Sequence, residues 1–306
     1  MSNNFLKFRD IASHDIQSVL DRATEMKAGM LSNALAGKSI AILFEKPSLR
    51  TKLSFWVGTQ KLAGNPVYFG PEEVGLGKRE PVADVAHVMS RMSDIIVIRT
   101  FLQSTIEEFA ANASVPVINA LTDHEHPCQA LADILTITEQ LGSVAGAKVA
   151  FIGDGNNVAR SLALGIAATG SNFTIASPLN HNLDDFTLEQ ARTMASKHGK
   201  DVLTIRDPEE AVSQADVVYT DVWTSMGQEQ EAKYRQELFK TYQVNQDLVS
   251  EAKPNVIVMH DLPAKRGEEI TSDVADGPNS VIFQQAHNRM HSAKAILYTL
   301  LTENGG

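Results

Sequence analysis

Short apolar runs rich in β-branched residues recur along the chain: Ser39–Phe44, Pro66–Phe69, Asp94–Ile98, Val115–Ile118, Lys148–Ile152, Phe173–Ala176, Val202–Ile205, Asp216–Tyr219 and Asn255–Met259. Their length and composition are those of buried strands. Between most of them apolar residues recur at helical spacing, as in Thr51–Leu62, Val82–Met92, Gln129–Leu141 and Val158–Ala168. Pro81 stands where the first turn of the second of these helices begins, a position that tolerates its missing N–H. Strands alternating with helices predict an α/β protein of parallel sheets with both faces covered. A last helical stretch, about Gln284–Leu301, follows the final strand.

The chain has 306 residues, too many for one ordinary core, so two domains of roughly 150 residues each are expected. Leu-Gly-Ser-Val-Ala-Gly-Ala at Leu141–Ala147 separates a helical pattern from a new strand and marks the boundary. Periodicity does not say on which domain the last helix packs. The net charge of −10 argues against a general nucleic-acid binder, which would carry a basic surplus. It leaves room for a local basic pocket that holds a small anion. One cysteine, Cys128, allows no intrachain disulfide and points to a reducing compartment. The first ten residues lack the apolar core of a secretory signal, and no apolar run approaches the roughly 20 residues a bilayer demands. A cytoplasmic protein with no membrane partner is expected.

Polar clusters follow the strands, where open α/β sheets bind ligands. Ser48-Leu-Arg-Thr-Lys52 places hydroxyls and cations at a strand-to-helix turn. The free N–H groups and dipole of that helix start favour an anion, and Arg50 adds donors. An N-cap serine followed by a solvated basic face would read the same way. Arg99 ends an apolar strand, where it either anchors an anionic ligand or pairs with an acid. His126 and Gln129 share a helix face, and both could donate to a carbonyl oxygen; a buried, satisfied histidine is the plainer reading. Gly153-Asp-Gly-Asn-Asn157 follows a strand, but Val158 stands where a dinucleotide fingerprint needs its third glycine. Asn156 and Asn157 suit the polar groups of a small substrate better than a nicotinamide cofactor. Asp221, opening Asp-Val-Trp-Thr-Ser-Met-Gly227, could take an ammonium group or simply start a turn. No spacing specifies a metal site.

Taken in order, Phe44-Glu-Lys-Pro-Ser-Leu-Arg-Thr-Lys52, Gly77-Lys-Arg-Glu-Pro81, His126-Pro-Cys-Gln129, Ala130-Leu-Ala-Asp-Ile-Leu135, Gly153–Asn157, Asp221–Gly227 and Phe283–Arg289 resemble the ornithine carbamoyltransferase family over essentially the whole chain. The resemblance implies two α/β domains with the active site in the cleft between them. Residues 1–141 would bind carbamoyl phosphate, with 284–306 packing back on them, and 147–283 would bind ornithine. Ser48, Leu49, Arg50 and Thr51 would hold the phosphate. Arg99 would bridge phosphate and carbamoyl oxygen, and His126, Gln129 and Arg289 would polarise the carbamoyl group, with Leu262 beside it. Asn157, Asp221, Ser225 and Met226 would bind ornithine, the Ser225-Met226-Gly227 element favouring it over aspartate. Arg50, Arg99, His126, Gln129, Asp221, Asp261 and Arg289 are the expected catalytic set. The resemblance also implies a homotrimer or a multiple of trimers, without metal or organic cofactor, serving arginine metabolism in a direction the sequence does not reveal.

Three positions depart from the family pattern. Leu49 replaces a threonine, Lys52 replaces an arginine, and Asp261 replaces the cysteine of His-Cys-Leu-Pro. Asp261 should lie near Asp221, and two neighbouring carboxyl groups resist ionising together. The pair is expected to move the pH optimum. Other readings are a transcarbamylase for a different amine, and a paralogue that binds these ligands with little turnover. A hydrolase using Cys128 would need a base that the sequence does not supply.

Overall fold

The computed structural model describes residues 4–10, 13–30, 33–225 and 227–303. The chain divides into two compact units, Met1–Leu135 with His287–Gly306, and Thr136–Ala286. One division falls within the helix Pro127–Leu141, ahead of the 141–147 loop, because that helix runs on without a break. Among the described residues no helix is long and apolar enough to cross a membrane.

The first unit is built on four parallel strands, β1 (Ser39–Phe44), β2 (Asn65–Phe69), β3 (Ile95–Arg99) and β4 (Val117–Leu121), in the order β2-β1-β3-β4. Its helices used below are α1 (Ser13–Lys27), α2 (Leu49–Lys61), α3 (Val82–Ser90) and α4 (Gln103–Asn112). Apart from Ser39 and Arg99 at their ends, β1 and β3 are apolar and buried on both faces, as strands inside a covered parallel sheet must be. β2 is the edge strand, half exposed, and tolerates Pro66 for that reason. β4 starts two residues later than its apolar run suggests. Pro116 brings no N–H to the ladder and only accepts, from Ile96 N at 3.0 Å. A register shift at Ile98 and Arg99 then carries β4 on to Leu121.

α5 (Pro127–Leu141) leads to the second unit, a five-stranded parallel sheet of β5 (Lys148–Ile152), β6 (Asn172–Ala176), β7 (Val202–Ile205), β8 (Val217–Thr220) and β9 (Ile257–His260), ordered β7-β6-β5-β8-β9. α6 (Asn157–Ala168) is buried almost all round and packs on α7 (Asp185–Ser196). α8 (Ala232–Phe239) follows β8, and α9 (Ile282–Tyr298) closes the chain. The strand order reverses between β1 and β3 in the first sheet and between β5 and β8 in the second. Such switch points open a crevice beyond the carboxyl ends of the strands.

Candidate active site

At the first switch point, Ser48 caps α2: its Oγ accepts from Thr51 N at 3.3 Å and donates to Thr51 Oγ1 at 3.0 Å. The opening turn of α2 therefore offers the N–H groups of Leu49 and Arg50, with the positive end of the helix dipole behind them. Leu49 itself is 68% exposed. What it can give an anion is its backbone N–H, so the missing threonine hydroxyl matters less than the sequence alone suggested. Arg99, at the end of β3, and Arg289, on α9, are both buried and converge on one atom. Arg289 Nη2 donates to Thr51 Oγ1 at 2.7 Å, and Arg99 Nη1 approaches it at 3.5 Å. Arg289 Nη2 also lies 3.5 Å from His126 Nε2.

Gln129 is tied to its own helix. Its Nε2 donates one N–H to Asp133 Oδ1 at 2.8 Å, and among the described residues its buried Oε1 has no hydrogen-bond partner. The group therefore presents an acceptor, suited to an N–H of a carbamoyl group, beside its second N–H. Lys52 turns from the cradle: its ammonium lies 3.5 Å from the centre of the Tyr68 ring and 5.5 Å from that of Trp56. Cys128 donates to Asn119 O at 3.2 Å, and burial, opposed by Arg289, pushes its thiol up to about 12. A thiol held protonated is no nucleophile, which removes the hydrolase reading.

At the second switch point, Asn156 caps α6, accepting from Val158 N and Ala159 N at 3.0 Å. Its Nδ2 donates to Asp221 Oδ2 at 2.7 Å, and Asp221 Oδ1 accepts from Val222 N at 2.7 Å. Asn157, the residue expected to contact the amino acid, is the first residue of the helix. Gly155 has no room for a side chain: a Cβ there would lie 2.3 Å from the Asn182 carbonyl carbon. The loop after β8 is held from α8. Arg235 Nε donates to Trp223 O at 2.6 Å, and Arg235 Nη2 to Asp154 Oδ2 at 2.5 Å. Further along it, Ser225 N donates to Gln228 Oε1 at 3.0 Å, and Met226 lies outside the described residues.

Asp221, His260 and Asp261 bring donor atoms within 4.8 Å of one another, the one such group among the described residues. Both Asp221 oxygens are already engaged by Asn156 and Val222. His260 Nε2 lies 3.0 Å from the buried Glu269 Oε1, and Nδ1 lies 3.5 Å from Asp261 Oδ1. Two effects conflict at this ring. Burial opposes its charge, yet bonds and charges from Asp261, Glu269 and Asp221 push it up to about 10. Leu262 N, however, donates to Nδ1 at 2.9 Å, a bond only the neutral ring can accept. Leu262 is itself held at φ 62°, uncommon for a branched residue. Burial, and next the Asp261 carboxylate, hold Asp221 well above the ordinary carboxylate range, with His260 opposing.

The carbamoyl-P binding domain model of the aspartate/ornithine carbamoyltransferases matches residues 3–139, and the Asp/Orn binding domain model matches residues 145–300. The chain belongs to the aspartate/ornithine carbamoyltransferase family. It is 48% identical over 298 residues to the ornithine carbamoyltransferase of Bacillus subtilis, spanning 97% of this chain and 93% of that protein. It is also 48% identical to the one of Carboxydothermus hydrogenoformans, spanning 97% of each. The solved structure of ornithine carbamoyltransferase from Pyrococcus furiosus superposes with a TM-score of 0.95 at 43% identity, covering 99% of this chain and 98% of that one.

Within this family frame, Ser48, Thr51, Arg99, His126 and Arg289 are drawn together in the first unit, with Gln129 one helix turn beyond His126. In the second unit Asp221 and Asp261 are neighbours. Sequence reasoning missed Arg235, Asp154, Glu269 and Lys46. Lys46 stands two residues ahead of the first polar cluster, within the Phe44–Lys52 stretch, and had a readable signal. Arg235 lies in the polar stretch Ala-Lys-Tyr-Arg-Gln-Glu and had none.

Proposed function

We propose that this chain transfers the carbamoyl group of carbamoyl phosphate to the side-chain amine of L-ornithine, giving L-citrulline and phosphate. The observation that carries the reading is the convergence of Arg99 and Arg289 on Thr51 Oγ1, beside His126, at the start of a capped helix. Ser48, the Leu49 and Arg50 amides, the Arg50 side chain and Thr51 hold the phosphate. Arg99 and Arg289 stabilise the carbamoyl oxygen as charge develops on it, and Gln129 Oε1 accepts from the carbamoyl NH2. The neutral δ-amine attacks the carbamoyl carbon, the bond from that carbon to the phosphate oxygen breaks, and the amine's proton passes to the departing phosphate. No covalent enzyme intermediate is required, and positioning with fixed charge supplies the acceleration. Asp221, with Asn157, Ser225 and Met226, binds the acceptor, with Asp261 beside it, and Leu262 stands beside the carbamoyl group. The reading includes a cytoplasmic homotrimer or multiple of trimers. High identity to named ornithine carbamoyltransferases along nearly the whole chain supports ornithine as acceptor.

The test is ureido-product formation from carbamoyl phosphate with L-ornithine, putrescine, L-lysine, L-aspartate and N-acetylornithine in parallel. Product from ornithine alone is expected. Turnover confined to another amine would keep the chemistry and replace the acceptor. No product from folded protein would overturn the enzyme reading in favour of a binding paralogue.

A further inference from the structure

α9 carries two histidines, His287 and His291, four residues apart and so on one face of the helix. His287 is exposed, whereas His291 is 5% exposed. The rings stand at 87° to each other with their centres 4.8 Å apart, and the two Nε2 atoms are 3.4 Å apart. For a hydrogen bond that separation is long. For a chelate it fits: two zinc–imidazole bonds of about 2.1 Å at a tetrahedral angle set their nitrogens about 3.4 Å apart. The spacing alone specified no metal; the ring geometry does. His291 Nδ1 is buried and, among the described residues, has no hydrogen-bond partner. Nε2 is therefore the nitrogen this ring offers, and it is aimed at His287. Burial, then Lys294, His287, Lys27 and Lys61, lower His291 to about 3. The neutral imidazole keeps the lone pair that a metal takes. Two of these ammonium groups are turned onto oxygens, Lys27 onto Asn288 Oδ1 and Lys294 onto Met26 O, both at 2.8 Å. Their charge lowers the affinity for a cation without occupying the space between the rings.

We propose that His287 and His291 form a chelating site for one divalent transition-metal ion of the zinc, nickel and copper class, with water filling its remaining positions. Imidazole nitrogen suits these ions and does not suit magnesium or calcium. Arg289 lies two residues beyond His287, about 200° round the helix. The ion therefore sits on a different face of α9 from the carbamoyl phosphate cradle and takes no part in the transfer. Ligands at i and i+4 close one turn of the helix. That turn holds Asn288, bonded to Lys27, and Arg289, bonded to Thr51, so the ion braces the segment that seats α9 and delivers Arg289.

The test is calorimetric titration of the full, untagged chain with Zn2+ at pH 7.5, for the native protein, His287→Gln and Asp261→Asn. The last controls for the other cluster of donor atoms, Asp221, His260 and Asp261. The native protein should bind Zn2+ at a site that Asp261→Asn keeps. His287→Gln should weaken that site at least about tenfold, since losing even an outer partner of a metal ligand costs that much. Without metal, His287→Gln should melt with the native protein, because His287 is exposed. With Zn2+, the melting temperature of Asp261→Asn should rise, and adding His287→Gln to it should abolish the rise. Zn2+ bound by His287→Gln as tightly as by the native protein, or not bound by the native protein at all, would overturn the proposal. Binding lost in Asp261→Asn and kept in His287→Gln would place the ion in the second unit and overturn it equally.

Discussion

Asp261 is where this chain most sharply leaves its family pattern, and its neighbourhood gives the substitution a physical consequence. Asp221 and Asp261 are both buried, and burial and then the Asp261 carboxylate raise the cost of ionising Asp221. The folded protein therefore keeps a carboxyl proton that the unfolded chain releases near the ordinary value of 3.8. Because the native state binds the extra proton, stability from this pair falls as pH rises from that value through the raised one. Asp261→Cys removes the neighbouring charge and lets Asp221 ionise more easily. Its acid limb of kcat/KM for ornithine should lie at lower pH than the native one, and its melting temperature should gain on the native protein between pH 5 and pH 8. Superimposable pH–rate profiles and parallel melting curves would show that the pair does not titrate as argued.

At the scale of elements, the loop after β8 and the loop after β5 meet through one buried side chain on α8. Arg235 ties Trp223 O to Asp154, and His181 Nδ1 lies 3.2 Å from the same carboxylate. Through this tie α8 fixes the backbone two residues beyond Asp221. Arg235→Met should leave Asp154 buried without its cation and cost about 3–5 kcal/mol, the range for breaking one side of a buried pair. It should raise KM for ornithine while leaving unchanged the affinity for phosphonoacetamide, a non-transferable mimic joining a phosphonate to a carboxamide. Equal losses for both ligands would mean general unfolding rather than a loosened loop.

The same contrast explains what the sequence could and could not reveal. Strands such as Ile-Ile-Val-Ile-Arg99 were legible because a covered parallel sheet demands continuous apolar residues. The Ser48 cradle was legible because helix capping is local. Asn156 bonded to Asp221, 65 residues away, and Arg235 bonded to Asp154, 81 residues away, depend on the fold and leave no local trace. Gln129 was placed correctly on its helix, but that Asp133, one turn along, takes one of its N–H groups was not read from the sequence. β4 slipped by two residues because Pro116 could not donate.

At the scale of the molecule, the chain leaves its first unit and comes back to it. Lys27 Nζ donates to Asn288 Oδ1 at 2.8 Å, and Lys294 Nζ to Met26 O at 2.8 Å, seating the last helix against α1. Arg289 reaches Thr51 only because of that return, so the anion site spans 238 residues of sequence. The first unit also keeps apolar side chains in solvent beside this site. Leu49 and Leu53, one turn apart on α2, are 68% and 51% exposed, and Val67 on the edge strand β2, against which α2 packs, is 49% exposed. Exposed apolar residues flanking an open sheet edge are what association between copies would cover. This supports association between copies, as the proposed trimer requires. Light scattering at micromolar concentration should give three times the 33.3 kDa chain mass, or a multiple of it. Leu53→Asp with Val67→Asp should lower that mass towards a single chain while circular dichroism keeps its native form. A native protein that scatters as one chain would sink the assembly, and a double variant that keeps the native mass would move the interface elsewhere.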